Sequence, residues 1–416
     1  MKRKILILPL LAMSLLLFAQ PLPGDVFKEY AWFNVPGDCN GALRVGGRLD
    51  YQLTEKAEPY LGDGLIVPQF DLDLSSAIRA ELVIEKMLCH GGTEGLRVSV
   101  NGSDPIRLPE AEYILQPQSA YAHHYNSVVP LKLSLLKEGT GNSFLFEVDT
   151  AGHWWPQNLV YGMILRVYYK SEVVGTRGVI TLPKEGNTLG ENNQITFNPA
   201  TGEKIDKIDL TGFYEDADLE GDGRYTQWHY AYHKCQIYNH IGTITQAPYD
   251  FQWNTEWLPD QDEKIRLAAF VHRSDGYIYM TDAVENLSLE RPGISVELCK
   301  PYRRPKGWFT RNGVFEERLQ INGDLDKVVE AKMVFRTWSP GYFNGIYIND
   351  FIVFVKEGPK YDYYEHHVPI ESMYALRAGE NKIKTGLTPL YPEGMVHGAE
   401  IQWPGIMLLI KYTRTK

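Results

Sequence analysis

One short segment holds four acidic side chains that alternate with other residues: Asp216, Asp218, Glu220 and Asp222. Alternate carboxylates on an extended loop can converge on one hard cation, and Gly221 would let the backbone turn around that ion. The segment therefore predicts a calcium site, and Ca²⁺ is the one cofactor that the sequence suggests. Gln227 stands where a helix-loop-helix calcium site has its last glutamate, so the alternative is a solvated acidic hairpin turn.

Histidines are grouped in three places where a transition metal could bind: His229 with His233 and His240, the pair His123-His124, and the pair His366-His367. Residues four apart share a face only on a helix, and the first group lies in a stretch that favours strand and loop. Adjacent residues on a strand point to opposite faces. We therefore interpret these histidines as polar positions on strands.

Aromatic side chains near the ends of the expected strands form a second candidate site. A sugar ring presents C–H faces to an aromatic ring and hydroxyl groups to amides, imidazoles and carboxylates. The carbohydrate-binding candidates are Trp154, Trp155, Trp338, Tyr342 and Trp403, with His397 and Gln402 as polar partners. The alternative for each tryptophan and tyrosine is a place in the hydrophobic core.

Charge and motifs exclude some functions. The net charge is −10 without a basic run, which argues against a nucleic-acid partner because phosphates are neutralised by clustered Lys and Arg. The chain has no Gly-x-Ser-x-Gly nucleophile elbow and no Gly-x-x-x-x-Gly-Lys phosphate loop. Apolar residues make up 44% of the sequence, which is enough for sizeable cores.

The N-terminus is typical of an export signal. Lys2, Arg3 and Lys4 precede an apolar run, 5–18, and Ala19 offers a cleavage site. We expect a signal peptide at 1–19 and a secreted, periplasmic or cell-surface protein with no membrane span in its mature chain. Export permits disulfides, but the pairing remains open for the four cysteines, which are Cys39, Cys89, Cys235 and Cys299.

Two distant stretches repeat the same pattern. Pro130 precedes Asn142 by twelve residues, and Pro369 precedes Asn381 by the same distance. Each stretch follows a strand with an asparagine, Asn101 or Asn349, and a His-His pair, and each precedes a Trp-Pro step and a last apolar strand. Short strands with Gly, Asn and Pro breaks surround both. This self-similarity predicts a duplicated β-sandwich.

The middle of the chain resembles bacterial immunoglobulin-like (Ig-like) domains. The residues that carry this likeness are Ile241-Gly-Thr, Pro248-Tyr-Asp-Phe-Gln-Trp-Asn-Thr, Leu258-Pro-Asp and the Asp275-Gly276 turn. Such a domain is usually a spacer or an adhesion module.

The repeated units resemble galactose-binding-like jelly rolls, through Val100-Asn101-Gly102 or Ile348-Asn349, a Val-Pro step and Leu-x-x-Gly-x-Asn. They are also similar to bacterial peptide N-glycosidases, which pair two jelly rolls and cleave glycan–asparagine links. The corresponding segment, 89–95, lacks the Asp-rich catalytic motif of those enzymes.

These observations predict an all-β protein with two related jelly-roll domains, at 20–175 and 301–416, and an Ig-like β-sandwich at 176–300 between them. We expect a noncatalytic carbohydrate-binding protein or a cell-surface structural or adhesion protein, with a glycan or polysaccharide as partner. The alternative is a glycan-processing hydrolase, a glycosidase or a glycan amidase, with its site on or between the jelly rolls.

Overall fold

The computed structural model describes residues 20–33, 42–45, 64–88, 94–114, 122–149, 158–305, 307–308, 314–338, 346–353, 363–385 and 400–414. β-Strands dominate this part of the chain, with short 3₁₀ turns at Leu133–Leu135, Ser171–Val174, Leu325–Lys327 and Met373–Ala375. The expected all-β class is confirmed. The signal-peptide segment, Cys39 and Cys89 lie outside the described residues, whereas Cys235 and Cys299 are free thiols. No helix in the described ranges is both long enough and apolar enough to span a membrane.

The first unit is a sandwich of two antiparallel sheets. Its strands are β1 (Val26–Phe33), β2 (Leu43–Val45), β3 (Leu65–Ile66), β4 (Ala77–Leu88), β5 (Arg97–Val100), β6 (Ile106–Arg107), β7 (His123–Leu131), β8 (Phe144–Glu147) and β9 (Asn158–Tyr169). One sheet contains the order β1-β9-β4-β7, and the other has the order β3-β8-β5-β6. Alternate residues of β4, such as Leu82 and Ile84, enter the core between the sheets.

The middle unit is a second sandwich. Its strands are β10 (Val179–Leu182), β11 (Thr188–Leu189), β12 (Asn192–Asn198), β13 (Ile205–Glu215), β14 (Thr226–Trp228), β15 (Ala231–His233), β16 (Gln236–Tyr238), β17 (Gly242–Ile244), β18 (Asp250–Asn254), β19 (Ile265–Arg273), β20 (Ile278–Met280) and β21 (Val284–Leu289). Strand β1 pairs with β9 on one side and, through Val26 and Phe27, with β20 on the other. The first and middle units therefore share one continuous sheet.

The third unit has the strands β22 (Ile294–Cys299), β23 (Phe315–Ile321), β24 (Val328–Trp338), β25 (Ile346–Ile348), β26 (Phe351–Val353), β27 (Tyr363–Pro369), β28 (Gly379–Thr385), β29 (Glu400–Ile401) and β30 (Met407–Thr413). Its sheets have the orders β22-β30-β24-β27 and β23-β28-β25-β26. Apart from the short strands β2 and β29, each strand thus takes the place of its counterpart in the first unit, as a duplication requires. Because β22 pairs with β30, this unit begins at Ile294, before the boundary at 301 that the sequence suggested.

The repeated asparagines build the same turn in both units. Asn101 and Asn349 adopt left-handed conformations, with φ of 52° and 54°, which asparagine tolerates better than most residues. The Nδ2 group of Asn101 donates to Oδ1 of Asn142 at 2.9 Å, and Asn349 donates to Asn381 at the same distance. The same two Nδ2 groups also donate to the carbonyl groups of Leu135 and Ala375, which end the equivalent 3₁₀ turns.

The strand register corrects one element of the repeat. Pro130 lies opposite Glu81, and Pro369 lies opposite Lys332. Counting along the paired strands from these prolines makes Glu85 equivalent to Arg336 and His124 equivalent to Tyr363. Both histidine pairs lie on equivalent strands, but they are separated from the prolines by different numbers of residues. The His366-His367 pair therefore does not correspond to His123-His124.

We predict that replacing either buried asparagine of these turns unfolds the turn that it supports. In Asn142→Ala, the Lys137 amide and carbonyl groups and the Asn101 amide lose their hydrogen-bond partner, and Asn381→Ala removes the equivalent bonds. Each variant should lose about 2–4 kcal/mol of unfolding free energy, since buried polar groups become unsatisfied. Urea titration of both variants measures this, with Asn322→Ala at an exposed turn as the control. A loss in only one of the two variants would contradict the equivalence of the turns.

Candidate functional site

A buried carboxylate lies on the face of β4 that turns away from the core of the first unit. Along this face Glu81, Val83, Glu85 and Met87 alternate with the core residues. Val83 packs against aromatic residues of the middle unit, and Met87 packs against Trp338 of the third. Glu85 lies between these two contacts and is 2% exposed. The three units therefore meet around one ionisable group.

Three hydrogen-bond donors converge on the Glu85 carboxylate. Nε2 of His124, on β7, lies 2.7 Å from Oε1, and Nδ1 of His233, on β15, lies 2.6 Å from the same oxygen. The backbone amide of Lys234 donates to Oε2 at 2.5 Å. His124 is fully buried, whereas the His233 side chain is 26% exposed. His233 is therefore the member of the group that solvent can reach.

The third unit completes the group with a guanidinium. Arg336, 2% exposed on β24, places Nη1 3.2 Å from Nδ1 of His124, and its Nη2 donates to the His124 carbonyl group at 3.3 Å. Tyr363 stacks on the His124 ring, with 4.4 Å between the ring centroids and an interplanar angle of 6°. We call Glu85, His124, His233, Arg336 and Tyr363 the junction cluster. Within it, one imidazole bridges a positive and a negative side chain.

This environment fixes the charges of the bridge. Burial alone would raise the pKa of Glu85, but the hydrogen bonds from His124 and His233 outweigh it and lower the pKa to about 2. Burial lowers the pKa of His124 to about 4, because the attraction of Glu85 does not compensate for desolvation and the nearby Arg336 charge. At neutral pH, Glu85 is ionised and His124 is neutral. His124 then accepts a hydrogen bond from Arg336 and donates one to Glu85.

A strained hairpin turn presents His233 to the carboxylate. Strands β15 and β16 pair from His233 to Gln236, so Lys234 and Cys235 form a two-residue turn, and both have positive φ, 48° and 60°. Such turns favour Asn-Gly, and side chains such as Lys and Cys cost about 1–2 kcal/mol each in this conformation. Asn126 on β7 exchanges two hydrogen bonds with the backbone of Tyr232 and fixes the hairpin in place. The strained turn therefore lies where the Lys234 amide and the His233 side chain donate hydrogen bonds to Glu85.

The junction cluster does not suit a metal ion. Ligand atoms of Glu85, His124 and His233 all lie within 4.8 Å of one another, which is a plausible set for zinc by residue type. A metal on Nε2 of His124, however, would leave the ring proton on Nδ1, facing an N–H group of Arg336. Two donors would then oppose each other beside an added dication. The residues fit a hydrogen-bonded relay and not a metal centre.

The four carboxylates of the acidic loop, the predicted calcium ligands, do not converge on one point in the described structure. Each carboxylate has its own partners: Asp218 accepts three backbone amides, Glu220 pairs with His229, Asp222 accepts from Gln227, and Asp216 accepts from Ala217. All four belong to the described ranges, within which no three of them bring their oxygens within 4.8 Å of one another. The alternative of a solvated turn is also wrong for Asp218, Glu220 and Asp222, which are buried.

The loop instead fills the space beside the junction cluster. Gly221 has φ of 72°, and a Cβ atom there would meet Arg336 and the His124 carbonyl group. Burial raises the pKa of Asp218 and of Asp216, the latter to about 6. Burial alone would lower the pKa of His229, but Glu220 raises it to about 9. The carboxylates thus act as internal hydrogen-bond acceptors of a packed loop.

The aromatic candidates that the structure describes are buried. Trp338 is 5% exposed and packs with Tyr161 and Met87, while Trp403 is 1% exposed in the core of the third unit. Gln402 is also buried. These positions offer no ring face for a sugar, because Trp403 lies in the core of the third unit and Trp338 is covered by residues of the first unit. Trp154, Trp155, Tyr342 and His397 lie outside the described residues.

The sequence carries one signal for the junction cluster that none of the predicted sites includes. Glu85 follows Leu-Val-Ile, and Arg336 follows Met-Val-Phe. A charged residue inside a strongly apolar strand must find a partner when that strand is buried. The two residues occupy equivalent positions of the repeat and carry opposite charges.

Comparisons with protein-family models and with curated proteins find no match. Similar solved structures include the fibronectin(III)-like modules of CbhA from Clostridium thermocellum, at 12% identity and a TM-score of 0.18, over 45% of this chain and 77% of that one. BuGH86wt in complex with neoagarooctaose has 10% identity and a TM-score of 0.23, over 54% and 33%. A β-porphyranase of glycoside hydrolase family 86 from Bacteroides plebeius has 6% identity and a TM-score of 0.22, over 54% and 35%. The aligned parts span about a third of the length of these last two proteins.

We predict that His124 makes stability depend on pH between 4 and 6.5. Its pKa is about 4 in the fold, against 6.5 for an unperturbed histidine, so the unfolded chain binds more protons in this range and stability falls as the pH drops. His124→Gln should flatten this decline by up to about 3 kcal/mol. Urea unfolding at several pH values measures it, with the exposed His367→Gln as control. Parallel curves for wild type and His124→Gln would show that His124 is not the buried neutral group described.

Proposed function

We propose that this protein is an exported glycan-processing hydrolase that cleaves an acyl linkage, an amide or an ester, at the junction cluster. The observation that carries the proposal is the strained turn that holds His233 against an ionised, buried carboxylate. Strained backbone at non-glycine residues is characteristic of functional sites. The cluster also lies between the two jelly rolls, where the hydrolase alternative expected a site.

The carboxylate–imidazole pair can act as a general base. Glu85 accepts the Nδ1 proton of His233, so it orients the ring and would stabilise the imidazolium when His233 takes a proton from water. Because its own pKa is about 2, Glu85 cannot supply a proton at neutral pH. Burial raises the pKa of the neighbouring Cys235 thiol to about 12, so Cys235 is protonated and is not a nucleophile. Water is then the nucleophile.

The composition of the cluster favours acyl transfer over glycosidic cleavage. Most glycosidases use two carboxylates that flank the scissile bond, whereas Glu85 is the one carboxylate among the described members of the junction cluster. In the proposed step, water adds to the carbonyl carbon and its proton passes to His233. The tetrahedral intermediate then breaks the bond to the amine or alcohol, which leaves with that proton.

The glycan substrate is supported by the resemblance of the flanking units to sugar-binding jelly rolls and to peptide N-glycosidases. The N-terminal segment supports export.

We predict that Glu85→Gln lowers the turnover number by about 100-fold or more, because the amide neither anchors the imidazolium nor keeps the His233 ring oriented. The assay measures acid and amine release from glycopeptides and from acylated polysaccharides. His272→Gln is the matched control, since His272 pairs with Asp209 in the middle unit, away from the cluster. Equal turnover in Glu85→Gln and wild type would contradict the proposal. Binding by wild type without release of product would assign a noncatalytic role.

A further inference from the structure

The first jelly roll shows which side chains the shared turn requires in the third. Both contain the same asparagine-supported turn, so the fold makes the same demands on the side chains around it. In the first unit these positions are small and uncharged: Gly102, Ser134, Gly141 and Ser143. In the third unit the equivalent positions are Asp350, Tyr374, Glu380 and Lys382. The larger side chains of the third unit are therefore not required by the turn itself.

Three of these positions, Asp350, Glu380 and Lys382, line a pocket. It has a volume of about 260 Å³ and is lined by Arg318, Asn349, Asp350, Arg377, Glu380 and Lys382. Tyr374 is 87% exposed. It lies next to Ala375, whose carbonyl group accepts a hydrogen bond of 2.7 Å from Asn349, a lining residue. The volume lies just below the usual range for small-molecule sites, about 300–1,000 Å³. Tyr374 belongs to the turn Met373–Ala375, which Asn349 joins to the pocket, but it is not itself a lining residue.

The charges of the pocket are nearly balanced, with three cations and two carboxylates in its lining. Arg377 pairs with Asp350 at 2.6 Å, Arg318 lies 3.6 Å from Glu380, and Lys382 lies 3.4 Å from Glu316 on the neighbouring strand. Paired guanidinium, ammonium and carboxylate groups offer many hydrogen-bond donors and acceptors with little net charge. Such a lining suits a ligand with several hydroxyl groups better than a phosphate or a nucleic acid, which need an excess of cations.

Tyr374 is the most exposed large apolar side chain in the described ranges. A ring that is 87% in solvent buries almost no apolar surface and therefore contributes little to stability. The first unit places a serine at the same point of the turn. An exposed aromatic beside a polar pocket is the arrangement that stacks on the C–H face of a sugar ring while neighbouring groups bind its hydroxyls.

We propose that the third unit carries a saccharide-binding site at this turn, with Tyr374 as the stacking ring and the pocket side chains as partners of the sugar hydroxyls. The site holds one or two sugar units, as its volume requires. It shares the ligand class of the proposed function but none of its residues, and its occupancy is measured without turnover. The third unit would thereby anchor a glycan chain independently of the junction cluster.

The test is affinity electrophoresis of the mature full-length protein in gels containing β-glucan, galactan, mannan or polygalacturonate. Wild type should be retarded by at least one polymer. Tyr374→Ser and Lys382→Ser, which restore the residues of the first unit, should weaken that retention by about tenfold or more without changing the melting temperature. Tyr113→Asn is the matched control, because Tyr113 is also exposed, at 74%, and has a left-handed conformation that asparagine tolerates.

The outcomes distinguish saccharide binding at this turn from hydrolysis at the junction cluster. Retention that persists in Glu85→Gln and is lost in Tyr374→Ser supports the site, whether or not hydrolysis is found. Retardation by polygalacturonate alone supports it with an acidic saccharide as ligand. Unchanged retention in Tyr374→Ser, or equal loss in Tyr113→Asn, overturns the proposal, as does the absence of retardation by all four polymers.

Discussion

The hydrogen-bonded bridge from Arg336 through the His124 ring to Glu85 is the interaction on which the arrangement of the three units depends. The carboxylate and the guanidinium are both 2% exposed, and the desolvation of each would cost several kcal/mol if it stood alone. One neutral imidazole satisfies both, since it accepts from Arg336 and donates to Glu85. Because Glu85 and Arg336 come from the two jelly rolls, the bridge forms only where these units pack against each other.

The duplication explains why the two charges meet. Glu85 and Arg336 are equivalent positions of the repeat, and so are His124 and Tyr363, which stack on each other. The two jelly rolls therefore contact each other through the same part of their sheets, with opposite charges at the matching position. The middle unit supplies the remaining donors and packing: the Lys234 amide, His233 and the glycine-rich acidic loop next to Arg336. This makes the middle unit part of the junction and not a simple spacer.

The sequence predicted those features that local patterns encode. The all-β class follows from short strands separated by Gly, Asn and Pro breaks. The repeated turn follows from Asn101 and Asn349, because their hydrogen bonds and left-handed backbone involve residues of one unit only. The sequence did not reveal that Trp338 and the acidic loop are buried, because their burial results from packing between units. The pairing of Glu85 with Arg336 was missed for the same reason, since it joins residues hundreds of positions apart. A charge inside an apolar strand indicates a buried partner but does not identify it.

A double-mutant cycle on Glu85→Gln and Arg336→Met, measured by urea unfolding of the full chain, tests the central claim most directly. Each single change leaves one buried charge without its counterpart and should cost about 3–5 kcal/mol. If His124 transmits the interaction, the double variant should lose less unfolding free energy than the sum of the two single losses, by about 1 kcal/mol or more. The exposed pair of Arg377 and Asp350 gives the reference for a surface ion pair, which is worth less than about 1 kcal/mol. Additive losses for Glu85→Gln and Arg336→Met would contradict the bridge and, with it, the account of how the two jelly rolls are held together.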